Sequence, residues 1–161
     1  MTIHPFTIAV PQNVLDDLHN RLVQTRWPDE EPNAGWTYGT SLGFMQSLAD
    51  YWLHHYDWRQ HEKALNRLPH FTSTIDGVGL HFIHQASPDH DAVPVLLAHG
   101  WPDSFYRFHR VLPLLHPTFH VVVPSMPGTG FSERLSLPID RIADLFAGLM
   151  RSLGYSRFII A

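Results

Sequence analysis

The chain has 161 residues, with 15 Asp and Glu against 11 Lys and Arg, 13 His and no Cys, which is enough sequence for about one domain with its own core. A hydrophobic fraction of 44% beside 16% charged residues marks a soluble globular protein rather than a disordered one. The formal net charge of -4 argues against a nucleic-acid binder, which needs a basic face to neutralise phosphates. Without Cys there is no disulfide, thiolate metal site or cysteine nucleophile, a composition that fits a reducing, cytoplasmic compartment.

His4 and Pro5 interrupt the N-terminus before a hydrophobic stretch can form, so no signal peptide is expected. The longest apolar run, residues 93–98, is far too short to span a bilayer. Pro11 and Asn13 open a first predicted helix, with Val14, Leu15, Leu18 and Leu22 on one face and Asp16, Asp17, Asn20 and Arg21 on the other. The polar, Pro-rich stretch 26–33 cannot continue it. A second helix is predicted from Ser41, with Leu42, Met45, Leu48 and Trp52 facing one way, and Asp57 caps a third that runs through Arg59, Glu62 and Leu65.

Near Pro69 the apolar period switches to two. Residues 71–75 and 80–84 flank Asp76-Gly77-Val78-Gly79, a strong hairpin signal. Residues 93–98 and 119–123 are continuously apolar or nearly so, as strands buried on both faces are, and residues 104–115 between them have the length of a helix. A further helix spans 138–153, with Ile139, Ile142, Leu145, Phe146 and Leu149 on one face, Pro138 in its first turn and Gly154 at its stop. Residues 157–161 form another buried strand. The order hairpin, strand, helix, strand, helix, strand is that of an α/β unit with a parallel sheet, here over residues 70–161 and preceded by a helical extension over 1–69. A last strand with nothing after it leaves sheet surface bare, so the chain is expected to be the front part of a longer protein.

The histidine content prompts a test for zinc. A metallohydrolase helix carries His-Glu-x-x-His, whereas His61-Glu62 is followed by Lys63-Ala64-Leu65. His54-His55, His81 with His84, and His116 with His120 fall on different predicted elements, so no metal-ligand set is assigned.

His99-Gly100-Trp101-Pro102 directly follows the strand 93–98. In an open parallel sheet ligands bind beyond the carboxyl ends of the strands. Gly100 permits a sharp turn there, and backbone N–H groups in such a turn can hold a developing oxyanion. The alternative is a tight turn whose Trp packs into the core. Pro124-Ser125-Met126-Pro127-Gly128-Thr129-Gly130-Phe131-Ser132 follows the next strand. Its Gly128-x-Gly130 lacks the third glycine of a dinucleotide loop, no Gly-x-x-x-x-Gly-Lys occurs in the chain, and this loop holds no Gly-x-Ser-x-Gly nucleophile elbow. It reads as a rigid turn shaping a cleft wall.

Arg26-Trp27-Pro28, Trp36-x-Tyr38-Gly39, Tyr51-Trp52, Asp57-Trp58-Arg59, Glu62 and Leu65-Asn66 resemble, in order, the N-terminal extension of the microsomal-type epoxide hydrolases of the α/β-hydrolase superfamily. Ile75-Asp76-Gly77, His81-Phe82, His84, His99-Gly100-Trp101-Pro102 and the 124–132 loop resemble the start of that family's catalytic domain. Leu149-Met150 and Leu153-Gly154-Tyr155 are similar to the helix end before its nucleophile strand. The resemblance covers essentially the whole chain. It implies an enzyme that opens an epoxide to a vicinal diol, using an Asp nucleophile on a Gly-Gly-Asp-Trp-Gly elbow, two cap tyrosines as acid, and a His backed by an acidic residue that activates water. No metal or organic cofactor is implied.

Residue by residue, the resemblance gives a catalytic role to Trp101 alone, through its backbone N–H in the oxyanion hole, with Trp101 and Pro102 as substrate-binding residues and the Trp101–Pro102 bond cis. His99 does not match the family's base and is expected to be a hydrogen-bonded structural residue. The nucleophile, tyrosines, acid and catalytic His match no position up to Ala161, so the fragment is expected to be inactive alone. Asp103 and Arg107 depart from the Gly and Glu common at those positions, which puts a charge near the oxyanion hole. The expected partner is a small-molecule epoxide in the full-length protein; no nucleic acid or membrane segment is implied, and a homodimer is compatible with the reading. The alternatives are a non-catalytic fragment or pseudoenzyme that binds a partner through Trp27, Trp36, Trp52 and Trp58, or another α/β-hydrolase chemistry such as ester or carbon–halogen hydrolysis.

Overall fold

A computed structural model describes residues 2–161. They divide into two compact units, one made of residues 2–7 with Asn66–Ala161 and the other of Ile8–Leu65.

The first unit is built on a six-stranded mixed sheet in the order β1-β2-β3-β5-β4-β6, comprising β1 (His4–Pro5), β2 (His70–Ile75), β3 (Val78–Gln85), β4 (Pro94–Leu96), β5 (His120–Pro124) and β6 (Ile159–Ile160). The pairs β1–β2, β2–β3 and β3–β5 are antiparallel, while β5–β4 and β4–β6 are parallel. The expected hairpin forms with a shorter loop than the sequence suggested. Ile75 pairs with Val78, and only Asp76 and Gly77 turn the chain, at φ of 47° and 81°, as a two-residue hairpin requires. Two positive φ values in succession explain the Asp-Gly pair.

The pleat sorts side chains to opposite faces. Leu80 and Phe82 of β3, Val122 of β5 and Leu96 of β4 join Ile75 and Val78 in one core with Ile142, Leu145, Phe146, Leu149 and Met150 of α5 (Ile139–Ser152). The alternate residues Ile83, Val95, Leu97, Val121 and Val123 are buried as well, and so are Phe105 and Leu112 in the connection between β4 and β5. The continuous apolar runs thus correspond to strands covered on both faces. Helix α5 ends as its sequence specifies. Gly154 takes φ 90°, its N–H reaches the Arg151 carbonyl at 3.0 Å, and the Tyr155 N–H reaches the Met150 carbonyl at 2.9 Å, a Schellman stop.

Four expectations are corrected. Strand β1 was not foreseen, because two residues carry no period. Residues 104–115 are not one helix but a 3₁₀ turn at Phe105–Phe108 and a short α4 (Leu112–Leu115); Pro113 has no N–H and would collide with the preceding turn, so a new helix starts around it. Ile139 is exposed at the first position of α5, off the buried stripe. Ile159 and Ile160 are exposed rather than buried, since among the described residues β6 pairs with β4 alone.

The second unit holds α1 (Gln12–Val23), α2 (Leu42–His54) and α3 (Trp58–Leu65). Ser41 Oγ accepts the Phe44 N–H and Glu30 Oε1 the Leu42 N–H, at 3.2 and 2.7 Å, so two orphan amides at the start of α2 are satisfied. Asp57 Oδ1 accepts the Arg59 N–H at 2.8 Å, as expected of a cap. Glu62 joins distant parts of the unit: its carboxylate accepts from the Val10 N–H at 2.7 Å, Trp58 Nε1 at 3.2 Å and Arg59 at 2.7 Å. The Val10 amide chiefly holds the Glu62 carboxyl below the usual range, with Arg59 and Trp58 adding to it against a desolvation effect that raises it. The predicted apolar face of α2 is largely uncovered, with Met45, Leu48 and Trp52 all exposed.

Leu145 is fully buried in the α5–sheet core. Leu145→Ala is expected to lower stability by about 2–5 kcal/mol, transfer and cavity effects combined, read from the urea unfolding midpoint. A loss under about 1 kcal/mol would contradict the assignment of this face as the core.

Candidate functional site

The chain leaves the parallel sheet at the carboxyl ends of β4 and β5, and two loops meet there. Beyond β4 the ladder continues for two residues: the Leu97 N–H bonds the Val122 carbonyl and the Ala98 N–H the Ala161 carbonyl, both at 2.9 Å. The next residue, His99, is buried and its ring binds on both sides. The Met126 N–H donates to Nε2 at 3.1 Å. An amide can only donate, so Nε2 is the bare acceptor and Nδ1 carries the hydrogen, which it donates to the Gly100 carbonyl at 2.9 Å. One neutral imidazole thereby ties the 99–102 turn to the 124–132 loop.

The Trp101–Pro102 peptide is cis. Trp101 is 84% exposed, so the alternative of a turn whose Trp is packed into the core does not hold. Pro102 is exposed beside it. Among the described residues no acceptor takes the Trp101 N–H, and that amide remains available to an external oxygen. Ser104 rather than Asp103 caps the following turn, accepting the Tyr106 N–H at 3.3 Å. The two residues that depart from the resembled pattern bind each other: Arg107 Nε lies 2.8 Å from Asp103 Oδ2. The carboxylate beside the turn is therefore not an isolated negative charge.

The second loop is fixed from β3. The Ser125 N–H donates to the His81 carbonyl at 2.8 Å, the His81 N–H to Ser132 Oγ at 2.9 Å, and the Ser132 hydroxyl to the Ser125 carbonyl at 2.8 Å. His81 Nδ1 lies 2.9 Å from Ser125 Oγ, and its Nε2 lies 2.9 Å from His70 Nδ1. Phe6, Phe105 and Phe131 pack around the His81 ring with centroids 5.3, 5.1 and 5.3 Å away. Burial, reinforced by the neighbouring His70 ring, pushes His81 from 6.5 down to about 3, so it is a neutral strut at physiological pH. Both loop glycines are required. Gly128 and Gly130 have φ of 84° and 53°, and a Cβ on Gly130 would fall 2.5 Å from Ser125 Oγ. The loop is thus the rigid cleft wall its prolines suggested.

A second imidazole cluster lies where β3 ends and β5 begins. His84 Nε2 is 2.9 Å from the Tyr155 hydroxyl, and His120 Nδ1 accepts the Ser87 N–H at 2.9 Å. Burial lowers His84, with the His120 ring adding to it, and burial raises Tyr155. Sequence reading assigned no role to His70, His81, Ser125 or Ser132. The one available signal was a His at an inward phase of a strand, which requires a polar partner when buried. No group of three or more His, Asp or Glu among the described residues is arranged to hold a metal ion, and no described helix is long and apolar enough to cross a membrane.

Two family models match the chain, "Epoxide hydrolase N terminus" over residues 3–108 and "alpha/beta hydrolase fold" over residues 93–161. A putative epoxide hydrolase of Stigmatella aurantiaca is 44% identical over 170 residues, covering 98% of this chain and 39% of that protein. Epoxide hydrolase 1 of Oryctolagus cuniculus is 34% identical over 176 residues, covering 99% and 39%. Among solved structures, Aspergillus niger epoxide hydrolase superposes with a TM-score of 0.88 at 34% identity, covering 99% of this chain and 46% of that one. The juvenile hormone epoxide hydrolase of the silkworm Bombyx mori gives 0.88 at 31% identity over the same shares. The chain spans about two fifths of the length of the curated relatives it matches.

A neutral buried imidazole sets the sign of a pH dependence. Below 6.5 the unfolded chain takes up a proton at His81 that the folded chain refuses until about 3, so stability is full above 6.5 and falls on acidification through that window. The slope contributed approaches ~1.4 kcal/mol per pH unit for one proton. Urea midpoints measured from pH 7 to pH 4 are expected to fall less steeply in His81→Gln than in the parent; equal slopes would contradict a neutral His81.

Proposed function

Since this chain belongs to the epoxide hydrolase N-terminus family and carries the α/β-hydrolase fold, we propose that it forms the N-terminal portion of an enzyme converting epoxides to vicinal diols. The carboxylate of an Asp, supplied by the region corresponding to the rest of the relatives' length, attacks an epoxide carbon. The carbon–oxygen bond of the strained ring breaks, and the leaving alkoxide takes a proton from tyrosine hydroxyls of the same region. The product of this step is an alkyl–enzyme ester. A His-activated water then adds to the ester carbonyl carbon, and negative charge develops on the carbonyl oxygen. When the acyl carbon–oxygen bond breaks, the diol leaves with one proton of that water, the other returns to the tyrosinate left by the first step, and the carboxylate is restored.

This chain's contribution is to the second step. The observation that carries the reading is the free N–H of Trp101 at the carboxyl edge of the sheet, in a peptide whose carbonyl is already tied to His99. An amide held rigidly in that way stabilises a developing oxyanion without having to reorganise. The exposed Trp101 indole and Pro102 form the adjoining wall against which an apolar substituent of the epoxide would lie. The Asp103–Arg107 ion pair keeps that wall free of an unbalanced carboxylate, which would otherwise oppose charge developing at the Trp101 amide.

Residues 1–161 purified alone are expected to turn over no epoxide, and diol formation by that monomer would overturn the assignment. For the polypeptide that continues this chain through the region its relatives possess, a single turnover in ¹⁸O-water distinguishes the routes. Label is expected in the enzyme's carboxylate and not in the first diol released. Label in that first diol would mean direct attack by water and no ester.

A further inference from the structure

We infer that His99 is a positioning residue for ester hydrolysis: its imidazole sets the plane of the Gly100–Trp101 peptide and so aims the Trp101 N–H. The inference rests on the reading of that amide as an oxyanion donor, and identifies what holds it in place.

The carbonyl of Gly100 and the N–H of Trp101 belong to one planar trans-disposed peptide unit, so fixing the direction of the first fixes that of the second. Gly100 has no side chain to restrict its rotation, and the Trp101 N–H has no partner among the described residues to do so. The bond from His99 Nδ1 to the Gly100 carbonyl, 2.9 Å, is the contact that opposes rotation of this unit. The ring is itself clamped, because Nε2 accepts the Met126 N–H at 3.1 Å and the side chain is buried. Met126 follows Ser125, whose amide and hydroxyl are both held by His81. The orientation of the Trp101 amide is therefore referred back to β3, in the middle of the sheet, through two neutral imidazoles.

Only a residue that donates from one atom and accepts at another, on opposite sides of a rigid ring, performs both tasks. Two substitutions separate them. In His99→Asn the amide nitrogen falls near the position of Nδ1 and still donates to the Gly100 carbonyl, but nothing reaches Met126. In His99→Gln the longer side chain places its oxygen near Nε2, where it accepts from Met126 and leaves the Gly100 carbonyl free. If His99 aims the peptide, Gln is the damaging change. If His99 only staples two loops together, Asn is.

The test is rapid-quench kinetics on the continuing polypeptide, with the ester on the enzyme measured by mass spectrometry after acid quenching and an alkyl or aryl epoxide as probe. Ester formation is expected to keep its rate in both variants, since no oxyanion develops on the carboxylate in that step. Ester hydrolysis is expected to slow by about 10- to 100-fold in His99→Gln, short of the loss seen when a donor is removed outright, and to be faster in His99→Asn than in His99→Gln. The covalent ester should accumulate in the Gln variant. Equal hydrolysis rates in parent and Gln variant, a greater loss in Asn than in Gln, or a parallel fall of both steps would each overturn the inference. A parent enzyme that forms no ester at all would overturn the proposed function, and this inference with it. Should both variants fail to fold, the ¹⁵N spectrum of the His99 ring in the parent decides. A protonated Nδ1 and bare Nε2 are expected, and the opposite tautomer would overturn the assignment.

Discussion

When a chain leaves a parallel sheet through a turn rather than a helix, its amides lose their ladder partners while still inside the fold, and each must be satisfied by something else. Here two adjacent strands do this at the same edge, after Ala98 and after Pro124. The Met126 amide is taken by the His99 ring, the Ser125 amide by the His81 carbonyl, and the His81 amide by the Ser132 hydroxyl. Those amides are thus committed to holding the loops themselves. The Trp101 N–H stands outside that accounting, as does the N–H of Gly100 beside it: among the described residues neither has an acceptor.

The same need for polar satisfaction shapes the other features of the site. The two residues that depart from the resembled motif are four positions apart and form an ion pair, so each departure supplies the partner for the other. An exposed pair of this kind adds little stability, and its physical consequence is local: the Asp103 carboxylate has a cation beside it at the entrance to the turn. In the Ile8–Leu65 unit, Glu62 has the corresponding organising position. One carboxylate gathers a backbone amide, an indole and a guanidinium, which ties α3 to Val10, two residues before α1.

Local rules made much of this readable in advance. The hairpin followed from Asp76-Gly77-Val78-Gly79, the stop of α5 from Gly154, the start of α2 near Ser41, the cap of α3 from Asp57, and the buried β4 and β5 from their apolar runs. The turn after β4 was readable because a strand, a glycine and a proline in that order leave the chain few paths. What was not readable depended on distance or on choice between equal local options. His81 meets Ser125 across 44 positions, and no spacing within either segment announces that. Pro113 was compatible with a first turn or with a break, and the burial of Phe105 and Leu112 on either side of it accompanies the break. The face of α2 obeyed the helical period yet stayed exposed, because periodicity shows which residues share a side and not what covers it.

The histidine content first raised the question of metal, and the bonding gives those residues a different use. His99 and His120 each accept a backbone N–H at one ring nitrogen, and His81 bonds His70 and Ser125 through its two. A neutral imidazole is suited to this because it offers a donor and an acceptor about as far apart as two neighbouring backbone groups, on a ring with only two rotatable bonds. Serine reaches one group, and asparagine presents its donor and acceptor on the same end. Lysine and arginine only donate and would bring an unpaired charge inside. In His81, burial also removes the charge, since its protonated form is disfavoured down to about pH 3. That neutrality bears on the proposed chemistry as well as on the fold. A cation buried beneath the 124–132 loop would add its own field to the oxyanion site proposed at the Trp101 amide.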